Sequence, residues 1–117
     1  MLVLNTDKSV YRPDETVRIH LVWKNEGGAP LEVRFATTQR FDIQAERDGE
    51  KIWQWSDGLF FAQVFTTLVI RPDDSRVFTA EWSGKDSRGR RVPTGRYRLR
   101  AWILGTEETA EASVTFA

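Results

Sequence analysis

Apolar residues recur at every second position through most of this chain, and that period constrains the fold more than any other feature. A period of two sends alternate side chains to opposite faces of an extended strand, whereas a helix needs spacings of three and four. Val17, Ile19, Leu21 and Trp23 alternate with Arg18, His20, Val22 and Lys24. The pattern returns in Leu31, Val33 and Phe35, in Phe41, Ile43 and Ala45, and in Phe78, Ala80 and Trp82. It returns again in Tyr97, Leu99, Ala101 and Ile103, and in Ala110, Ala112, Val114 and Phe116. Turn formers punctuate these runs: Asn25-Glu-Gly-Gly, Asp48-Gly49, Asp57-Gly58, Arg71-Pro-Asp-Asp and Pro93-Thr-Gly95. Asp48-Gly49, set between Gln39–Arg47 and Glu50–Trp55, predicts a two-residue type I′ hairpin because both residues tolerate positive φ.

Short strands at intervals of about ten residues, with no convincing helical stretch, predict an all-β antiparallel sandwich or barrel. Gly58–Thr67 fits a short helical turn as well as a strand after a bulge. We read its first part as an irregular lid over one end of the core and Phe65–Ile70 as a strand. The longest loop is expected at Gly84–Gly95. With no repeat, low-complexity tract or linker, the 117 residues read as one domain. Met1–Asp7 shows no secretory signal, and no apolar run approaches the roughly 18 residues of a membrane helix, so a cytoplasmic protein without a membrane contact is expected.

Composition then removes whole classes of chemistry. There is no cysteine, which excludes disulfides and thiolate zinc sites. Lys+Arg and Asp+Glu both count 17, so no bulk charge draws the chain to nucleic acid or anionic lipid. A single histidine, His20, on the polar face of its strand, leaves little for a metal site or a nucleophile and base. Asp42 and Asp57 bracket Trp53-Gln-Trp55, the kind of carboxylate pair a glycosidase needs, but Asp57-Gly58 is better explained as a turn. No catalytic residue, metal or cofactor is expected.

Two features remain. Lys85, Arg88, Arg90, Arg91, Arg96, Arg98 and Arg100 face a single Asp86. They form either a surface for an acidic partner or a solvated loop and strand face, balanced by Glu81, Glu107, Glu108 and Glu111; the second reading is preferred. Among the tryptophans, Trp23 and Trp82 share the core phase, whereas Trp102 falls opposite, beside Arg98 and Arg100. Trp53 and Trp55 share one face, and we read that face as inward, capping the sandwich end, rather than as an outward sugar-binding platform.

The centre of the chain also carries an ordered set of motifs. Phe35-Ala-Thr-Thr-Gln-Arg-Phe-Asp-Ile is followed by Asp48-Gly-Glu-Lys-Ile-Trp-Gln-Trp-Ser, by Phe60 or Phe61 with Gln63, by Glu81-Trp82 and by Val92-Pro-Thr-Gly-Arg-Tyr97. From about Tyr11 to Ile103 this order resembles the intracellular proteinase inhibitor family of bacteria, the BsuPI domain. Two expected Pro-Gly-Glu turns are here Pro13-Asp-Glu and Pro72-Asp-Asp. The resemblance implies an immunoglobulin-like β-sandwich that inhibits an intracellular subtilisin-type serine protease, and it carries over no reactive-site residue.

The contact must therefore be argued physically. A rigid loop that loses little entropy on docking makes a good inhibitor. Asp57, Gly58, Leu59, Phe60 and Phe61 offer large apolar side chains suited to a subtilisin-like pocket. Gly84–Gly95 would suit a trypsin-like enzyme through Arg88, Arg90 or Arg91, although its length and glycines argue against rigidity. Two alternatives stay open: Leu59–Phe61 plugs the sandwich end, or the chain is a non-catalytic binding or scaffolding module for a protein or carbohydrate partner, with Trp102 or Trp53 and Trp55 as its contacts. Monomer and weak dimer are both compatible with the sequence.

Overall fold

The computed structural model describes all residues from Met1 to Ala117. Ten strands and no helix follow one another: β1 Leu2–Thr6, β2 Val10–Tyr11, β3 Val17–Lys24, β4 Leu31–Phe35, β5 Phe41–Arg47, β6 Glu50–Gln54, β7 Thr66–Ile70, β8 Ser75–Trp82, β9 Gly95–Ile103 and β10 Thr109–Phe116. One sheet has the order β1-β3-β8 and the other β2-β10-β9-β5-β6, while β4 and β7 form a separate two-stranded ribbon. All pairings are antiparallel except β2 with β10. This is an immunoglobulin-like β-sandwich in which the first strand segment switches sheets: β1 edges one sheet and β2 lies parallel to the last strand of the other.

The alternation seen in the sequence is the alternation of burial. Along β3, Val17, Ile19, Leu21 and Trp23 are buried, and along β9 Tyr97, Leu99, Ala101 and Ile103 are. Both sheets contribute to one core, so each inward side chain meets the facing layer. At one end Trp82 sets its edge against Tyr97 and Phe116, with ring centroids 5.6 and 5.5 Å apart, and Trp53 stacks on Trp82 at 5.6 Å. Edge-to-face geometry of this kind adds about 0.5–1.5 kcal/mol per pair beyond the area buried. Gly84 passes directly over Phe116 at φ +73°, where a Cβ would come within 2.9 Å of the ring.

The turns follow their residues. Asp48 and Gly49 have φ of 52° and 80° and join β5 to β6 as the two-residue hairpin expected. Tyr97 donates its hydroxyl to the Pro93 carbonyl at 2.7 Å and accepts from Arg47 at 3.0 Å. This is the tyrosine corner of immunoglobulin-like domains, and it explains why Pro93-Thr-Gly-Arg-Tyr97 is written as it is. The Arg71-Pro-Asp-Asp turn closes with Asp74 N–H on the Arg71 carbonyl at 3.0 Å, and Asp73 takes φ 63°. A type II turn wants glycine there. Asp73→Gly is expected to leave the fold unchanged and raise the unfolding free energy by up to about 1 kcal/mol in urea titration, since glycine meets no Cβ penalty at positive φ.

Where β1 gives way to β2, the Tyr11 hydroxyl donates to Asp7 at 2.6 Å, and Asp7 also accepts the Arg18 N–H at 3.0 Å. Burial, then the Asp7 carboxylate, pushes the Tyr11 phenol up to about 12, and the same hydrogen bond holds Asp7 below its ordinary value. A tyrosine raised on folding contributes stability that is whole below about pH 10, its unfolded value, and lost as pH rises toward 12. The wild type should therefore lose stability between pH 10 and 12 by denaturant titration, and Tyr11→Phe should flatten that loss.

Candidate functional site

Between β6 and β7 the chain leaves both sheets, and the family-like motifs prove to be the masonry of this connection. Trp53 and Trp55 are half-buried and pack against the core: the Trp55 ring stacks on Phe41 at 4.3 Å, while its backbone N–H donates to the Ile43 carbonyl at 2.8 Å. Ser56 and Gln54 then meet Asp42 of the neighbouring strand β5. Asp42 is 4% exposed. One of its oxygens accepts the Ser56 hydroxyl at 2.6 Å and Gln54 Nε2 at 2.7 Å, and the other accepts the N–H groups of Ser56 at 3.2 Å and Ile43 at 2.9 Å. Asp42 is thus a brace for the first stem of the connection, with no spare valence for catalysis. Asp57 lies apart from it, exposed and paired with Lys51 at 3.8 Å.

The second stem is held from β4's far end. Thr38 N–H donates to the Ala62 carbonyl and Ala62 N–H to the Thr38 hydroxyl, both at 3.1 Å. Thr66 donates its hydroxyl to the Thr37 carbonyl at 3.0 Å and accepts from Arg40 at 2.5 Å. From below, Phe61 rests against Trp55 with ring centroids 5.8 Å apart.

Braced at both stems, Leu59–Phe65 runs with neither turn nor bend. Apart from Leu59 N–H to Ser56 and the Thr38 bond to Ala62, its peptide groups have no backbone partner. Phe60 is 98% exposed, Phe65 78%, Val64 51% and Leu59 46%. The expected lid is therefore only half a lid: Phe61 covers the core edge, and its neighbours project away. Such a run of large apolar side chains facing solvent is uncommon on a monomer. Of the sequence-predicted contacts, Asp57, Gly58, Leu59, Phe60 and Phe61 form one continuous segment; Val64 extends it, as does Phe65, which precedes the strand Thr66–Ile70 instead of opening it.

The basic loop differs from expectation. Its glycines do not make it slack, because Asp86 accepts the N–H groups of both Arg88 and Arg90 at 2.9 Å, and Asp86 N–H donates to the Arg90 carbonyl at 2.8 Å. With Lys85 bridged to Arg91, it is a tight hairpin. The N–H groups of Arg90 and Arg88 hold the Asp86 carboxyl below its ordinary value. Arg88 and Arg90 are exposed, and Arg91 donates to the Pro13 carbonyl.

On the outer face of β9 Arg98 and Arg100 are paired, chiefly by a carboxylate the sequence reading does not name, while Arg96 forms no ion pair. Glu46, buried on β5, takes Arg98 at 2.6 Å and lies 3.8 Å from Arg100. Glu111 adds a contact to Arg98 at 3.7 Å, whereas Glu81 pairs with Arg18 and Glu108 with the N-terminus. Trp102 is half-buried on that face, opposite Asp42 in register, with the Arg100 guanidinium 5.5 Å from its ring. Trp102 is not part of the Leu59–Phe65 segment.

Likeness to solved structures bears on the fold alone. The chain superposes over 98% of its length on 15% of a β-glucosidase from Erythrobacter marinus, at 11% identity and a TM-score of 0.60. It superposes over 99% of its length on 85% of the CARDB domain of the PF1109 protein from Pyrococcus furiosus, at 15% identity and a TM-score of 0.55. A third likeness, with 13% identity and a TM-score of 0.57, is to 29% of the alkylpurine DNA glycosylase AlkC from Pseudomonas fluorescens, again over 99% of this chain. No curated protein matches the sequence. The family model described as intracellular proteinase inhibitor, BsuPI, by contrast matches residues 4–108. That span holds every strand but β10 in whole or in part, together with the braced connection and the tyrosine corner, and the chain belongs to the intracellular proteinase inhibitor family.

Proposed function

We propose that this chain is a non-catalytic inhibitor that blocks a subtilisin-type serine protease inside the cell by seating the Asp57–Phe65 segment in the substrate cleft, with Phe60 in the main specificity pocket. The observation that carries the reading is a fully exposed phenylalanine on a segment braced at both ends. Phe60 is 98% exposed while Asp42, Trp55 and Thr38 fix the chain on either side. Exposure supplies the apolar side chain that a large pocket takes up, and the braces reduce the ordering cost of docking. Unpaired peptide groups in Leu59–Phe65 leave donors and acceptors for a protease to engage as it engages an extended substrate. A standard contact of about 800 Å² per partner fits one end of a sandwich.

The carbohydrate reading loses its platform, because Trp53 and Trp55 pack against Trp82 and Phe41. Titration of the full chain against the intracellular subtilisin of the same organism tests the proposal. Hydrolysis should fall with one-to-one stoichiometry, and unchanged hydrolysis at tenfold excess would refute it.

A further inference from the structure

The basic hairpin and the Phe60 segment lie far apart in sequence and side by side in space. Ser87 donates its N–H to the Ile52 carbonyl at 3.1 Å, so the hairpin lies along β6, the edge strand that leads into Asp57. A hollow of about 300 Å³ separates the two features, lined on one side by Trp53, Gln54 and Asp57 and on the other by Lys85, Asp86 and Ser87. The hairpin and Asp57, where the segment begins, therefore border one hollow on this edge.

The charges there are only partly offset. Lys85, Arg88 and Arg90 form no ion pair and sit together on one short hairpin, whereas Arg76, Arg98 and Arg100 are paired and the unpaired strand cations Lys24, Arg34, Arg47 and Arg96 are spread over four strands. Asp86 caps backbone N–H groups and offsets one of these charges, Asp57 is taken by Lys51, and Glu50, which lines a neighbouring hollow with Arg88 and Arg90, pairs with neither arginine. In a chain whose net charge is zero, a rigid tip with unpaired cations on the edge from which the Phe60 segment springs is a local positive field on the same edge as an apolar anchor.

Resting on the reading above, we propose that the Lys85–Arg91 hairpin is a second, electrostatic docking arm that steers and orients an acidic rim beside the protease cleft receiving Phe60. Nucleic acid suits this tip less well. Three free cations on a neutral chain are few beside the six to ten phosphate contacts of a typical DNA-binding surface, and no aromatic platform lies among them for base stacking. Charge complementarity between exposed groups acts mainly on association, so the two parts of the surface separate kinetically.

Stopped-flow binding to the intracellular subtilisin of the same organism, from about 20 to 500 mM salt, reads this directly. The variants are Arg88→Gln/Arg90→Gln, Arg88→Glu/Arg90→Glu and Phe60→Ala; Arg91 is left alone because it donates to the Pro13 carbonyl. Wild-type association should slow steeply with salt, and charge reversal should cut it about tenfold at low salt, with the neutral variant between, while dissociation stays within about twofold. Phe60→Ala should do the converse. Salt-independent association, or charge reversal without effect while Phe60→Ala still speeds dissociation, overturns the arm and spares the docking segment. Absence of any wild-type complex overturns both. Binding of single-stranded DNA as tight as that of the protease, and lost on charge reversal, reassigns the hairpin and overturns the arm.

Discussion

Phe60→Ala is expected to raise the inhibition constant roughly thirtyfold to a thousandfold, about 2–4 kcal/mol, while shifting the unfolding free energy by less than about 0.5 kcal/mol. The two halves of that expectation come from one fact. At 98% exposure Phe60 makes no core contact to lose, so truncation leaves the sandwich untouched. In a complex, the same ring would bury some 150–250 Å², the scale of an interface anchor. Phe61→Ala should behave in the opposite way, because its ring rests on Trp55 at 5.8 Å and its loss opens the core edge. Protease titration and urea denaturation on the two variants separate docking from support.

Asp42→Ala should damage both properties. Four hydrogen bonds converge on this buried carboxylate, and alanine would leave the Ser56 N–H and hydroxyl, the Gln54 amide and the Ile43 N–H without their acceptor. The unfolding free energy should fall by about 2–4 kcal/mol, as expected when buried donors lose their partner. Inhibition should weaken about tenfold or more, because a loosened stem must be ordered again on docking. Asp42→Asn, which keeps the shape and one good acceptor, should fall between. If Asp42→Ala lowers stability yet inhibits as well as the wild type, the brace does not preorganise the segment.

The strand alternation was legible because it is local: β3, β5, β8, β9 and β10 each carry their own inner face in their spacing. β1 was missed because only Leu2 and Leu4 mark it, and β2 because two residues hold no period. Pairings between distant strands were not legible at all. That is why Glu46, brought beside Arg98 by the β5–β9 register, escaped notice while acids nearer in sequence were nominated. The site was half legible. Composition pointed to Asp57–Phe61, but which phenylalanine projects depends on Asp42, Trp55 and Thr38, which reach the segment from other strands. Asp42 itself read as one of a doubtful carboxylate pair, and only the register across β5 and β6 turns it into a brace. Asp86 misled in the other direction: a loop with two glycines looked slack, and one carboxylate capping two N–H groups makes it firm.

Backbone hydrogen exchange of the chain, free and with one equivalent of the intracellular subtilisin, tests the central claim most directly. In Leu59–Phe65 only the Leu59 and Ala62 amides have intramolecular partners, so those of Phe60, Phe61, Gln63, Val64 and Phe65 should exchange rapidly in the free chain. In the complex, protection should concentrate on residues 58–65. Unchanged exchange there, with protection instead across β9 and β10 around Trp102, would place the contact on those strands rather than on the segment and contradict the account.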